Sequence, residues 1–369
     1  MVVPTPQTRR AVAPQEDWEK ELAKYEKPDA RQASLELIKT LVPYLSLMFF
    51  MFWMVHTGIS YWLVFPLILL AAGFLVRTFI IFHDCVHGSF FASKQANLFW
   101  GYICGFLAFT DYLGWKIAHL LHHSTSSDLD FRGDGDIWTM TRKEYVDAPK
   151  HIRIIYRVFR NPFFLFFIGA PFLFFIIQRF PKAKSKNRRI VPKQRMKEVQ
   201  SVLALDVGIM LILVLAHYTI GLKAYALVQI PVMTIAAAMG VWLFYVQHQF
   251  EFDYWERHGK WTPTDAALKG STFYDLPWWL AWLTGYIGYH PHHHLRMKIP
   301  FYNLVKVHKE VKGLREAVIP LRFMESLPFA WLAVWDEEGV LVEDPVTGDL
   351  RLVKRMLTFK EVHQRLGKL

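Results

Sequence analysis

Thirty-six consecutive residues, Leu41 to Val76, carry no formal charge. A helix crosses the hydrocarbon core of a bilayer in about 20 apolar residues, so this run is too long for one span and suits two. Its one polar break, Thr57-Gly58-Ile59-Ser60, falls where a tight turn joins them. Val199 to Leu222 and Ala224 to Gln249 are also long enough to cross. Two shorter apolar runs are weaker candidates: Gln95 to Thr110, with Gly101 and Gly105, and Asn161 to Gln178, interrupted by Pro162 and Pro171. With 53% hydrophobic and 16% aromatic residues, the expectation is an all-α integral membrane protein.

The histidines decide how the short runs are read. His83 pairs with His87, His119 with His122 and His123, and four histidines crowd into His290-Pro291-His292-His293-His294. Spacings of three and four put imidazoles on one helix face, with Cβ atoms about 5–6 Å apart. Three such clusters can share a metal only on one side of the bilayer. That requires both short runs to be re-entrant or interfacial, leaving four spans, and it brings His248, at the end of the last run, to the same side. The expected organisation is an N-terminal arm over 1–40, a membrane domain over 41–304 and a cap over 305–369.

Charge placement agrees with that topology. The turns around Thr57 to Ser60 and Thr219 to Tyr225 carry one basic residue between them, Lys223, whereas Arg179 to Lys197 holds nine basic residues and no acid. The basic run therefore reads as a cytoplasmic loop against anionic headgroups, and the net charge of +11 needs no nucleic acid to explain it. Cys85 and Cys104 do not make a disulfide framework, which suits a reducing compartment. The first forty residues balance seven basic against seven acidic, so a secretory leader is not expected there. Asp344-Pro345-Val346-Thr347-Gly348-Asp349 carries a turn signal in the cap.

Imidazole serves iron, zinc, copper and nickel alike, but ligand number narrows the choice. His83, His87, His119, His122, His123, His248, His290, His293 and His294 exceed one zinc site and suit two metals with open positions. His-Glu-x-x-His and an iron–sulfur cysteine set are both absent. What remains is a histidine-rich di-iron site that activates dioxygen.

The segments His83-Asp84-Cys85-Val86-His87, His119-Leu120-Leu121-His122-His123 and His290-Pro291-His292-His293-His294 resemble the three histidine boxes of the membrane fatty acid desaturase family. Further matches are Ser127-Asp128-Leu129-Asp130 with Gly135-Asp136-Ile137-Trp138, Gln247-His248-Gln249-Phe250-Glu251 and Ile299-Pro300-Phe301-Tyr302-Asn303-Leu304, and they point to the bacterial acyl-lipid Δ12/ω3-like branch. Box three departs from the pattern at Pro291 and His292. Phe244 stands where animal acyl-CoA members carry an Asn.

The resemblance implies four transmembrane helices, two irons on the cytoplasmic side of a bacterial inner membrane, and O2-dependent insertion of a cis double bond into a fatty acyl chain of a lipid or thioester. Electrons are expected from a ferredoxin-like or cytochrome b5-like donor. Asp84, Asp128 and Asp130, with His292, are the expected partners of metal-bound imidazoles. Trp115, Trp138, Tyr245, Trp278 and Trp279 are candidate walls of an acyl tunnel. Two rival readings are weighed against desaturation: a fatty acid or alkane hydroxylase or carotenoid ketolase on the same framework, and a histidine-rich metal transporter, which would need its ligands at mid-membrane.

Overall fold

A computed structural model describes residues 15–133, 135–181, 192–343 and 350–366. Four of its helices are long and apolar enough to cross a membrane. These are α1 (Ala30–His56), α2 (Tyr61–His87), α6 (Pro192–Thr219) and α7 (Leu222–His248). The short run before the second histidine cluster becomes α3 (Lys94–Leu107), and the cluster itself lies on α4 (Tyr112–Thr125). α5 (Lys150–Phe159) leads into the Pro-interrupted segment Phe164–Arg179, bent by 73° at the break. Asn161 precedes Pro162 there, and a residue before proline is pushed out of the helical region.

The spans are longer than the uncharged run suggests, and the excess has a cause. At 1.5 Å per residue a 27-residue helix is about 40 Å long, against about 30 Å of hydrocarbon. α1 therefore starts eleven residues ahead of Leu41. Asp29 caps it, its carboxylate accepting from the Gln32 amide at 2.8 Å. Glu36 in the extension pairs with Arg77 of α2, and Arg77 also donates to Thr40 Oγ1 at 3.0 Å and to the Trp282 carbonyl. A charge that looks misplaced beside an apolar run is thus the buried tie between two spans. Asp206 is explained in the same way, by Arg179 at 3.0 Å.

α2 is the most enclosed of the four spans. Beyond Val76 it continues for three turns to His87 and stops there for a local reason. Gly88 takes the left-handed conformation at φ 65°, its N–H bonds the Cys85 carbonyl at 3.1 Å, and the Ser89 N–H bonds the Asp84 carbonyl at 3.0 Å. This is a Schellman ending, which a glycine adopts without strain.

The remaining chain forms the cap. Two short parallel strands pair, β2 (Thr272–Asp275) with β3 (Ile319–Arg322). β4 (Leu332–Glu343) runs antiparallel to β5 (Leu350–Thr358), and β1 (Met140–Thr141) joins β4 in parallel. These strands add a β-hairpin to a fold that is otherwise helical. Its own small core holds Tyr145, Tyr156, Val334, Leu357 and Val362.

Two sets of hydrogen bonds, one buried and one partly buried, bind the cap and the N-terminal arm to the membrane domain. Arg160 donates to Tyr245 Oη at 3.0 Å, Gln249 Oε1 at 2.9 Å and the Leu332 carbonyl at 2.5 Å. α9 (Phe301–Glu310) spans the expected boundary at 304/305 and takes the arm with it, since Tyr25 Oη donates to Glu310 at 2.5 Å and Asn303 donates to the Tyr25 carbonyl at 2.9 Å. The turn at 344–349 lies outside the described residues, as does 182–191, the centre of the basic run.

Candidate metal centre

Four separate pieces of chain deliver histidines to one place. α2 ends on His83 and His87, α4 on His119, His122 and His123, and α7 on His248, while α8 (His290–Leu295) carries His290, His293 and His294. They sort into two groups. His83, His87, His119, His123 and His293 form one, and His122, His248, His290 and His294 the other. Within each, one ring nitrogen per residue lies within 4.8 Å of all the rest. The groups adjoin, with the rings of His123 and His294 stacked 4.3 Å apart.

The nitrogens that converge are Nε2. His119 Nε2 lies 3.0 Å from His87 Nε2 and 3.1 Å from His123 Nε2, and His293 Nε2 lies 3.0 Å from His123 Nε2. In the second group His248 Nε2 is 2.8 Å and His294 Nε2 3.0 Å from His290 Nε2, with His122 Nε2 3.3 Å from that of His294. A neutral imidazole has one N–H, so such sets cannot all be joined by hydrogen bonds. About 3 Å is the separation of two nitrogens at right angles around an ion about 2.1 Å from each, the usual metal–imidazole distance.

The outer ring nitrogens say which atoms are free to ligate. His122 Nδ1 faces Asp136 Oδ1 at 2.6 Å, His83 Nδ1 faces Asp84 Oδ1 at 3.0 Å, and His248 Nδ1 faces the Gly270 carbonyl at 3.1 Å. An Nδ1–H given to an oxygen leaves the Nε2 lone pair aimed inward. His83 Nε2 is buried with no hydrogen-bond partner among the described residues, which a metal would satisfy. Burial, followed by the neighbouring imidazoles, holds His119, His123, His290, His293 and His294 well below the ordinary histidine range. These rings are therefore neutral, the form that binds metal.

The expected partners divide. Asp84 bridges, accepting from His83 and from the Phe301 amide at 2.6 Å, and so ties the first histidine segment to the Ile299-Pro300-Phe301 stretch. Asp128 instead meets His258 at 2.7 Å, and Asp130 meets Arg257 at 2.8 Å. Both make contacts that fasten the loop after α4. His292 is buried with Nε2 3.2 Å from His308 Nδ1, and burial pushes it down to about 3. It belongs to neither group.

Asp136 is the partner that the sequence reading passed over. Gly135, at φ 82°, lets its loop lie against α4, where a Cβ would stand 2.8 Å from the Ala118 carbonyl. A glycine before an aspartate, with the aspartate fourteen residues after the histidine it serves, was the available signal.

The tunnel candidates also separate. Trp115 stacks on His119 at 4.2 Å, against the centre. Tyr245 gives its hydroxyl to the Leu332 carbonyl at 2.6 Å, and Trp138 packs on Tyr156 at 4.9 Å, so both face the cap. Trp278 and Trp279 are 82% and 52% exposed, as interfacial anchors are. Phe244, one turn before His248, packs 5.1 Å from the rings of His122 and His248. Beside it lies a cavity of about 10 Å³, lined among others by Ser127, Asp136 and Gln249, the room that one water takes.

A family model described as fatty acid desaturase matches residues 60–324. A fatty acid desaturase of Bacillus subtilis is 39% identical over 325 residues, covering 88% of this chain and 89% of the relative. An sn-1 acyl-lipid omega-3 desaturase (ferredoxin) of a Nostoc species is 26% identical over 286 residues, 74% of each chain. An sn-1 oleoyl-lipid 12-desaturase of a Picosynechococcus species is 26% identical over 265 residues, 68% of this chain and 70% of the relative.

Proposed function

The chain belongs to the fatty acid desaturase family, a family of oxidoreductases, and from that premise we propose that it inserts a cis double bond into an acyl chain of a membrane lipid, using O2 and two irons held by the nine histidines. The observation that carries this reading is the convergence of nine imidazoles as a group of five beside a group of four. A transporter path would need its ligands at mid-membrane, whereas these sit at helix ends.

Bound iron would supply the oxidising power that an unactivated methylene pair requires. The reaction balances as loss of two hydrogens from the chain, with O2, two electrons and two protons giving two waters. The protein's part is placement. α2, α4 and α7 are rigid and hold their imidazoles at their ends, while Asp84, Asp136 and the Gly270 carbonyl fix three ring orientations. Trp115 forms an apolar wall against His119. Membrane-lipid chains are the favoured substrates because the Nostoc and Picosynechococcus relatives are named for acyl-lipid and oleoyl-lipid action. A ferredoxin-like donor is favoured because the Nostoc relative is named with one. The nearly uncharged turns at Thr57 to Ser60 and Thr219 to Tyr225 support a cytoplasmic histidine face.

The test combines metal analysis with lipid profiling of a host expressing the chain. We expect about two irons per chain and products lighter by two hydrogens. A gain of one oxygen would instead show hydroxylation. His87→Ala, His123→Ala and His294→Ala should each abolish product while the protein stays in the membrane. Full activity in any one of them would remove that residue from the ligand set.

A further inference from the structure

Lys298 Nζ donates to the backbone carbonyl of His87, the last residue of α2. Lys116 lies on α4 one turn before His119, with its ammonium 5.7 Å from the Tyr112 ring, and Lys94 opens α3. Lys94 and Lys298 are exposed and Lys116 is half-buried. None of the three has an ion-pair partner among the described residues. Lys298 is hydrogen-bonded to His87, and Lys116 stands on the helix that carries His119, whose Nε2 lies 3.0 Å from that of His87, so the two ammonium groups belong to one edge of the centre. Burial, then repulsion from Lys298 and Lys94, lowers the affinity of Lys116 for its proton. Like charges held together without counter-charge are a standing attraction for an anionic surface.

Resting on the function proposed above, we propose that Lys94, Lys116 and Lys298 form the docking face for an acidic electron-donor protein, and that electrons enter through the His87 backbone. Among the described residues Cys85 and Cys104 are buried and form no cysteine cluster, and the function proposed above draws its electrons from a separate donor. Donor and centre must therefore meet across a surface. The path from this face is short: one hydrogen bond from Lys298 to the His87 carbonyl, then covalent bonds to an imidazole whose Nε2 lies 3.0 Å from that of His119. Each encounter would oxidise the donor cluster by one electron and deliver that electron to the metal that the nine histidines would hold, and no proton passes through the lysines. A lipid headgroup would also answer to three ammonium groups, but it would not need one of them bonded to the backbone of a candidate ligand.

The probe is a plant-type [2Fe–2S] ferredoxin with an acidic surface, presented to the full chain in lipid nanodiscs. Carbodiimide should cross-link ferredoxin carboxylates to Lys94, Lys116 or Lys298. In Lys94→Glu/Lys116→Glu, ferredoxin-driven turnover at low ionic strength should fall about tenfold or more, and high salt should bring the wild type toward the variant. Iron content and dithionite-driven turnover should stay within about twofold of wild type, as expected for rim charges. Lys94→Gln/Lys116→Gln should give an intermediate loss, which separates charge from misfolding. Cross-links mapping elsewhere, or unchanged ferredoxin-driven turnover, would overturn the proposal. So would an equal loss of ferredoxin-driven and dithionite-driven turnover with a raised KM for lipid, which marks a headgroup site. Absence of dithionite-driven turnover in the wild type would overturn the reading of function instead, and the cross-link map would still decide docking.

Discussion

At the scale of single residues, the centre rests on which end of each imidazole is occupied. Neutral rings packed edge to edge could present either nitrogen, and three of them are fixed by oxygens behind them: Asp136 for His122, Asp84 for His83 and the Gly270 carbonyl for His248. Asp136 is the clearest case because its contact is the shortest of the three, at 2.6 Å, and its loop depends on a glycine. Asp136→Ala should weaken metal affinity about 10–100-fold, the usual effect of removing such a partner. Asp136→Asn, which still accepts a hydrogen bond, should lose less. Competition against a graded series of chelators reads this directly, and equal affinity in all three proteins would show that His122 needs no orienting oxygen. Asp128, Asp130 and Asp136 all follow the same histidine segment, and in the sequence only the glycine before Asp136 sets it apart. The fold turns the first two toward His258 and Arg257.

Elements carry that precision to the membrane edge. α2 and α7 are each 27 residues long and end on candidate ligands, so the position of a helix terminus is the position of an imidazole. Gly88→Ala would place a Cβ in the left-handed region at a strain of about 1–2 kcal/mol. We expect a lower melting temperature in detergent and reduced iron occupancy, because fraying of the last turn moves His87. A Gly88→Asn variant should retain more of both, since Asn tolerates this conformation better. Arg160 is the corresponding tie for the cap. Arg160→Leu removes the guanidinium shared by Tyr245 Oη, Gln249 Oε1 and the Leu332 carbonyl, leaving the carbonyl to Tyr245 and Gln249 Oε1 to Thr139, at a loss of about 1.5–3 kcal/mol. Limited proteolysis should then release the β4–β5 hairpin at protease levels that leave the wild type intact. An unchanged digestion pattern would mean that the small core around Tyr145 and Tyr156 holds the cap alone.

For the whole molecule the governing constraint on the proposed four-span topology is parity: with four crossings, an even number separates each histidine segment from the next. Single cysteines replacing Thr57 or Lys223 should react with an impermeant maleimide only from the face opposite to cysteines replacing Lys94 or Lys260. Labelling of all four from one side would break the topology on which the centre depends. Sequence alone determined that four runs are long and apolar enough to cross a membrane and that the histidines fall in short helical spacings, because bilayer thickness and helical spacing act locally along the chain. It also carried the family, since box spacing is itself a local pattern. The division of the nine into five and four was decided only by tertiary structure, as were the choice of Asp136 over Asp128 and Asp130, the Arg77–Glu36 and Arg160 ties and the β-hairpin of the cap. Each of these joins residues far apart in the chain, and no local periodicity records which distant partner a buried polar group will find.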